Sequence, residues 1–182
     1  FNGAIAKWRQ AADSDPAFRE QAEAQIADIE TQRDAELLER YQDRARRFPM
    51  DMRYQFELGE LLIRFEAYDE ALPHLQKSMR NPSFHTRSLA LIGRCMAHKG
   101  FRDLAIEQFE KALEACGERM TEQRKDILYN LGLLHMENQA WDPALKSFKA
   151  IYAVDASFRD VRERIEQFYG GSTPKPADTP AP

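Results

Sequence analysis

Three glycines set the terms for this chain. Gly59, Gly93 and Gly132 each follow a branched apolar residue, in Leu58-Gly59, Ile92-Gly93 and Leu131-Gly132. Twelve residues after each glycine stands an alanine: Ala71, Ala105 and Ala144. Four residues beyond each alanine stands a large apolar side chain: Leu75, Phe109 and Phe148. Three hits at constant offsets mark an internal repeat. A small residue in one helix and a small residue in the next let two antiparallel helices approach closely. The large side chain one turn later fills the space beside them. One such hairpin leaves an apolar face open, so each unit must stack on the next.

The residues between these marks are helical in pattern. Strand signals are nearly absent, and Ala, Leu, Glu, Gln, Arg and Lys, all good helix formers, dominate. Apolar residues recur at spacings of three and four, as in Leu58, Leu61, Leu62 and Phe65, and again in Leu104, Ile106, Phe109, Ala112 and Leu113, which is the helical period. Breakers fall between the sets, at Pro49, Asn81-Pro82, Gly100, Gly117 and Gly170-Gly171. The step from Gly59 to Gly93 is 34 residues and that from Gly93 to Gly132 is 39. Five extra residues therefore fall around Gly117-Glu118-Arg119-Met120, in the loop or in the helix ends beside it.

This pattern resembles the tetratricopeptide repeat family, whose unit is a 34-residue helix–turn–helix. The match is fullest over 86–119, with Leu89, Ile92-Gly93, Gly100, Ala105-Ile106, Phe109 and Lys111-Ala112-Leu113. Unit 52–85 carries Leu58-Gly59, Tyr68-Asp69-Glu70-Ala71 and Leu75; unit 125–158 carries Tyr129-Asn130-Leu131-Gly132, Trp141-Asp142, Ala144, Phe148 and Asp155. The resemblance implies an all-α fold, a right-handed superhelix (α-solenoid) of stacked helical hairpins, with three repeats over 52–158. Ala4-Ile5, Trp8, Ala11 and Asp15-Pro16 resemble a second helix, so 1–16 reads as the second helix of a truncated repeat, and the chain is expected to be part of a longer one. Residues 17–50 read as a degenerate repeat. Its first helix is expected over about 17–31 with Gln25 at the glycine position; Leu37 replaces the alanine, Tyr41 takes the large apolar place and Pro49 closes the unit. A plain long hairpin or coiled-coil-like pair is the competing reading of 17–47. Residues 159–169 are expected to form a capping helix, with Val161, Ile165 and Phe168-Tyr169 inward and Arg159, Arg162, Glu163 and Arg164 toward water. The Pro-rich tail 170–182 has too little apolar surface to offset its ordering entropy and is expected to be disordered.

Composition narrows the function classes. The 182 residues carry a formal net charge of −4, without the strongly basic balance of a nucleic-acid binder. No apolar run approaches the ~18 residues that cross a membrane. Cys95 and Cys116 form no CxxC pair. In an antiparallel hairpin they stand roughly 10 Å apart, beyond the ~7 Å that a disulfide allows between Cα atoms. Solitary thiols suit a reducing, cytoplasmic compartment. Cys95 and His98 share a helix face, but two residues without a third ligand do not make a metal site. The other histidines, His74, His85 and His135, lie in no nucleophile motif, and no phosphate-binding loop occurs. No enzymatic activity, cofactor or metal is expected.

The resemblance implies where a partner would bind. In this family positions 2, 5, 9, 12 and 13 of the first helices face the ligand across a concave groove. Those positions hold Arg53, Phe56, Glu60, Ile63 and Arg64 in the first unit. They hold Arg87, Ala90, Arg94, Ala97 and His98 in the second, and Asp126, Tyr129, Leu133, Met136 and Glu137 in the third. Four arginines at one end and an apolar patch at the other suit a protein or peptide segment with acidic residues and an apolar anchor, because the planar guanidinium binds carboxylate in pairs. The competing reading has these arginines solvated and paired with Glu57, Glu60 or other neighbours. A chaperone-type carboxylate clamp does not fit: Phe56, Glu60, Leu91, Asp126 and Asn130 occupy its places, two of them acids. The expected role is a protein–protein interaction scaffold. A structural or anchoring arm of a larger enzyme or membrane-associated protein is the alternative.

Overall fold

The computed structural model describes residues 1–14 and 19–169. Asp15-Pro16 and the tail from Gly170 onward lie outside the described residues. The elements described are all helices: α1 (Asn2–Ser14), α2 (Arg19–Arg47), α3 (Met52–Arg64), α4 (Tyr68–Ser78), α5 (Pro82–His98), α6 (Arg102–Cys116), α7 (Glu122–Glu137), α8 (Trp141–Tyr152) and α9 (Val161–Tyr169). They fall into two compact units, Phe1–Pro49 and Met50–Pro182.

In the second unit α3 pairs with α4, α5 with α6 and α7 with α8, and each hairpin packs on the next. The repeating marks of the sequence meet inside these hairpins. Ala71, Ala105 and Ala144 are 0% exposed. A Cβ built on Gly59 would lie 2.7 Å from Leu75, one on Gly93 3.0 Å from Phe109, and one on Gly132 2.8 Å from Phe148. Each glycine is thus the seat of the large residue of its own hairpin. Leu75, Phe109 and Phe148 are buried there, each contributing about 1.5–3 kcal/mol by leaving water. Ser78 and Ser88, both buried, share a 2.7 Å hydrogen bond between α4 and α5.

The hairpin turns repeat as closely as the cores. Glu66, Gly100 and Gln139 stand at equivalent positions with φ of 58°, 80° and 58°. The next residue's N–H reaches back to Leu62, Met96 and His135 carbonyls at 2.8–2.9 Å. This is the left-handed C-cap that ends many helices. Side-chain caps start the first helices: Asp51 accepts from the Arg53 N–H, Asn81 from Ser83 and Thr121 from Arg124. The extra residues between the second and third hairpins lie partly in helix: α6 has 15 residues where α4 has 11. Arg124 closes the longer junction by donating to the Leu113 carbonyl at 3.0 Å and to that of Gly117.

The first unit departs from the expected repeat. Residues 19–47 form one continuous helix of 29 residues, where a two-helix unit was expected over 17–50. The physical reason is local: this stretch contains neither Gly nor Pro, so nothing interrupts the helix near residue 31. α1 packs on α2; Ile5 and Ala22 are buried, while Ala4, one of the residues that resemble a second repeat helix, is exposed. Two corrections also apply at the other end. In α9, Val161 is buried and Ile165 and Phe168 are half-buried, but Tyr169 is 67% exposed. Arg164, expected in water, has a largely covered side chain bonded to Asp160 at 2.8 Å.

Candidate interaction face

The first helices α3, α5 and α7 lie side by side, α3 against α5 and α5 against α7. The candidate residues ride on this row, and the structure sorts them into three kinds. Phe56, Ile63, Tyr129 and Met136 are buried. Ala90, Ala97 and Leu133 are half-buried. Arg53, Arg64, Arg87, Arg94, His98 and Glu137 are exposed, with Glu60 and Asp126 between.

At the α3–α5 junction Phe56 stacks on Phe84, centroids 4.9 Å apart. The Arg87 guanidinium lies over the Phe56 ring at 4.5 Å and donates to Glu60 at 2.6 Å. Arg53 lies over Tyr54 and pairs loosely with Asp51 at 3.6 Å. Arg94 and Arg64 have no ion-pair partner among the described residues. His98 stacks on Tyr68 with centroids 4.5 Å apart. Burial lowers the His98 pKa, and the Arg94 charge lowers it further, while Glu66 and Glu137 oppose the shift.

The same device recurs at the third unit. Arg159 lies over Tyr129 at 4.7 Å and donates to Asp126 at 2.6 Å. There the inner surface is closed more firmly. The Tyr129 hydroxyl donates to Asp160 at 2.5 Å, and its phenol is pushed up to about 12 by burial and by that bond. Phe158 meets Tyr129 edge-on at 6.1 Å. Lys125, buried, reaches Asp155 at 2.7 Å and Glu122 at 2.5 Å. The Lys125 bond holds the Asp155 carboxyl below its usual range, helped by Ser157.

Sequence reasoning missed Lys125, Asp155, Arg159 and Asp160 as an interacting group. Residues about 30 apart meet only because one repeat stacks on the next, so the repeat length itself was the available signal. Leu104 shows the opposite error: its helical spacing suggests core, yet it is 48% exposed.

Other sites offer less. Cys95 is buried and Cys116 half-buried, both free thiols, and burial pushes the Cys95 thiol up to about 11. No group of three or more His, Cys, Asp or Glu among the described residues is placed to hold a metal ion. No helix among them is long and apolar enough to cross a membrane. Two hollows of about 510 and 520 Å³ lie on the first unit, one along α2 by Arg40 and Asp43, the other over Ile5, Arg9 and Arg33. Neither is walled by a candidate residue.

No protein-family model matches the sequence, and no curated protein matches it. Solved structures do. A crystal structure of MamA superposes with a TM-score of 0.66 at 15% identity, over 80% of this chain and 82% of that one. A second MamA crystal structure gives 0.61 at 14%, over 94% and 84%. A MamA RS-1 ArsTM double mutant gives 0.60 at 17%, over 86% and 85%. At these identities the likeness is one of fold, a tetratricopeptide-like array of paired helices.

Proposed function

We propose that this chain is a protein-interaction scaffold, and that the α3–α5–α7 face of its second unit holds a segment of a partner protein without catalysing a reaction. One observation carries this reading. Arg94 and Arg64 stand exposed and without an ion-pair partner among the described residues, on a face where Arg53 and Arg87 are already engaged. The half-buried Ala90, Ala97 and Leu133 on α5 and α7 supply a shallow apolar surface on the same row of helices. A segment with carboxylates toward Arg64 and Arg94 and an apolar anchor over Ala90, Ala97 and Leu133 complements both features. Each arginine would bind carboxylate through its fork.

The partition refines the expected site. Phe56, Ile63, Tyr129 and Met136 support the face from beneath, and Arg87 is held by Glu60 and Phe56. The test is the double variant Arg64→Glu, Arg94→Glu, assayed for capture of partner segments and of an acidic peptide. Capture should be lost while helicity and melting stay near those of the parent, since neither side chain is packed. Undiminished capture would refute the proposed face. A purified chain that self-associates and holds no segment would favour the structural-arm alternative.

A further inference from the structure

We infer that Glu60 is an internal occupant of this face: its carboxylate sits on Arg87 in the place that a carboxylate of the partner segment takes, and binding exchanges one for the other. The inference rests on the function proposed above and adds a residue that sets affinity and specificity.

The geometry at the α3–α5 junction supports it. Arg87 is held from two sides, its guanidinium over the Phe56 ring at 4.5 Å and Phe56 backed by Phe84 at 4.9 Å. The cation is therefore positioned by packing and does not depend on Glu60 for its place. Glu60 approaches at 2.6 Å, yet the Glu60 and Arg87 side chains are 36% and 51% exposed. An exposed pair of this kind is weakly stabilising and screened by salt, so an incoming carboxylate can replace it at small cost. Glu60 is also the acid among the groove positions of the first two units, which otherwise hold four arginines. In the empty state it neutralises one of them and repels a second acid.

The junction at the third unit holds a similar exposed pair, with side chains 47% and 50% exposed, but in more occupied surroundings. Arg159 over Tyr129 pairs with Asp126, but Tyr129 is also tied to Asp160 and the neighbouring Lys125 to Asp155. Displacing Asp126 would leave a closed surface. Displacing Glu60 frees Arg87 on the same row of helices that carries the exposed Arg64 and Arg94.

The experiment uses the full chain and a fluorescent, acetylated peptide of repeating Glu-Glu-Leu, read by anisotropy at low and at physiological ionic strength. Glu60→Gln should bind it about two- to fivefold more tightly than the parent, the range of a surface ion pair expressed as an affinity ratio. Its salt dependence should be steeper, because the peptide then meets Arg87 with its charge uncompensated, whereas in the parent it only exchanges with the Glu60 carboxylate. Glu114→Gln, which makes the same change in net charge on the exposed side of α6, should leave affinity unchanged. Equal affinities for Glu60→Gln and the parent would overturn the inference, as would an equal gain from Glu114→Gln. If Arg64→Glu, Arg94→Glu abolishes binding and Glu60→Gln does not alter it, only the exchange fails. If the peptide binds no variant, the acidic-segment reading and the exchange fall together. Melting curves of each variant confirm that the comparison is between folded proteins.

Discussion

At Gly132 the Phe148 ring already lies within 2.8 Å of where a Cβ would stand, so a single methyl group is too much there. Gly132→Ala should cost about 1–3 kcal/mol, the usual range for overpacking a filled core, and thermal or urea denaturation would read it directly. Ala105→Leu should fall in the same range, since Ala105 has no exposed surface; a neutral result would contradict the hairpin register. The turn positions predict the opposite sign. Gln139 holds φ of 58°, a left-handed conformation that disfavours a Cβ by about 1–2 kcal/mol. Gln139→Gly should therefore raise the melting temperature, with a gain of up to about 1 kcal/mol after the glycine's own entropy is counted. The glycine–alanine marks were legible because repetition made them stand out. The strained turns were legible at Gly100 alone, because Glu66 and Gln139 look like ordinary surface residues until the backbone is seen.

At the scale of an element, α2 tests how far a repeat can be traced by register. Leu37 and Tyr41 sit at repeat positions, yet the chain is one unbroken helix from Arg19 to Arg47, and Pro49 follows just beyond its end. Local propensity decided, because no turn residue invites a reversal between Arg19 and Arg47. Spin labels on cysteines placed at Ala24 and Arg40 should report about 24 Å between backbones, the rise of a continuous helix. A distance near that of packed helices, roughly 8–10 Å between axes, would restore the two-helix reading. The candidate face was partly legible at this scale too. The family positions located the row of first helices, but could not tell that four of its side chains lie beneath the surface. Burial depends on the next hairpin, and no single helix carries that information.

Across the molecule, acid should weaken the fold. Burial lowers the pKa of His74, His98 and His135 below 6.5, so below that pH the unfolded chain takes up protons that the folded chain refuses, and stability falls. Asp155, held low by Lys125, contributes fully above its ordinary value of 3.8 and loses its share as pH falls through its folded pKa. Melting temperature should therefore decline in two stretches, one beginning as the pH falls below 6.5 and another below 3.8. Lys125→Met should flatten the second, and an unchanged profile would show that the Lys125–Asp155 bond is not formed. By itself the sequence determined the helices and repeat of the second unit and the seats of the large side chains, because these rest on spacings within one hairpin. The tertiary structure alone decided which arginines are engaged, that Tyr129 is closed over by Arg159 and Phe158, and that Arg64 and Arg94 stay open. Those are contacts between residues a repeat apart, and stacking chooses them where local propensity has no say.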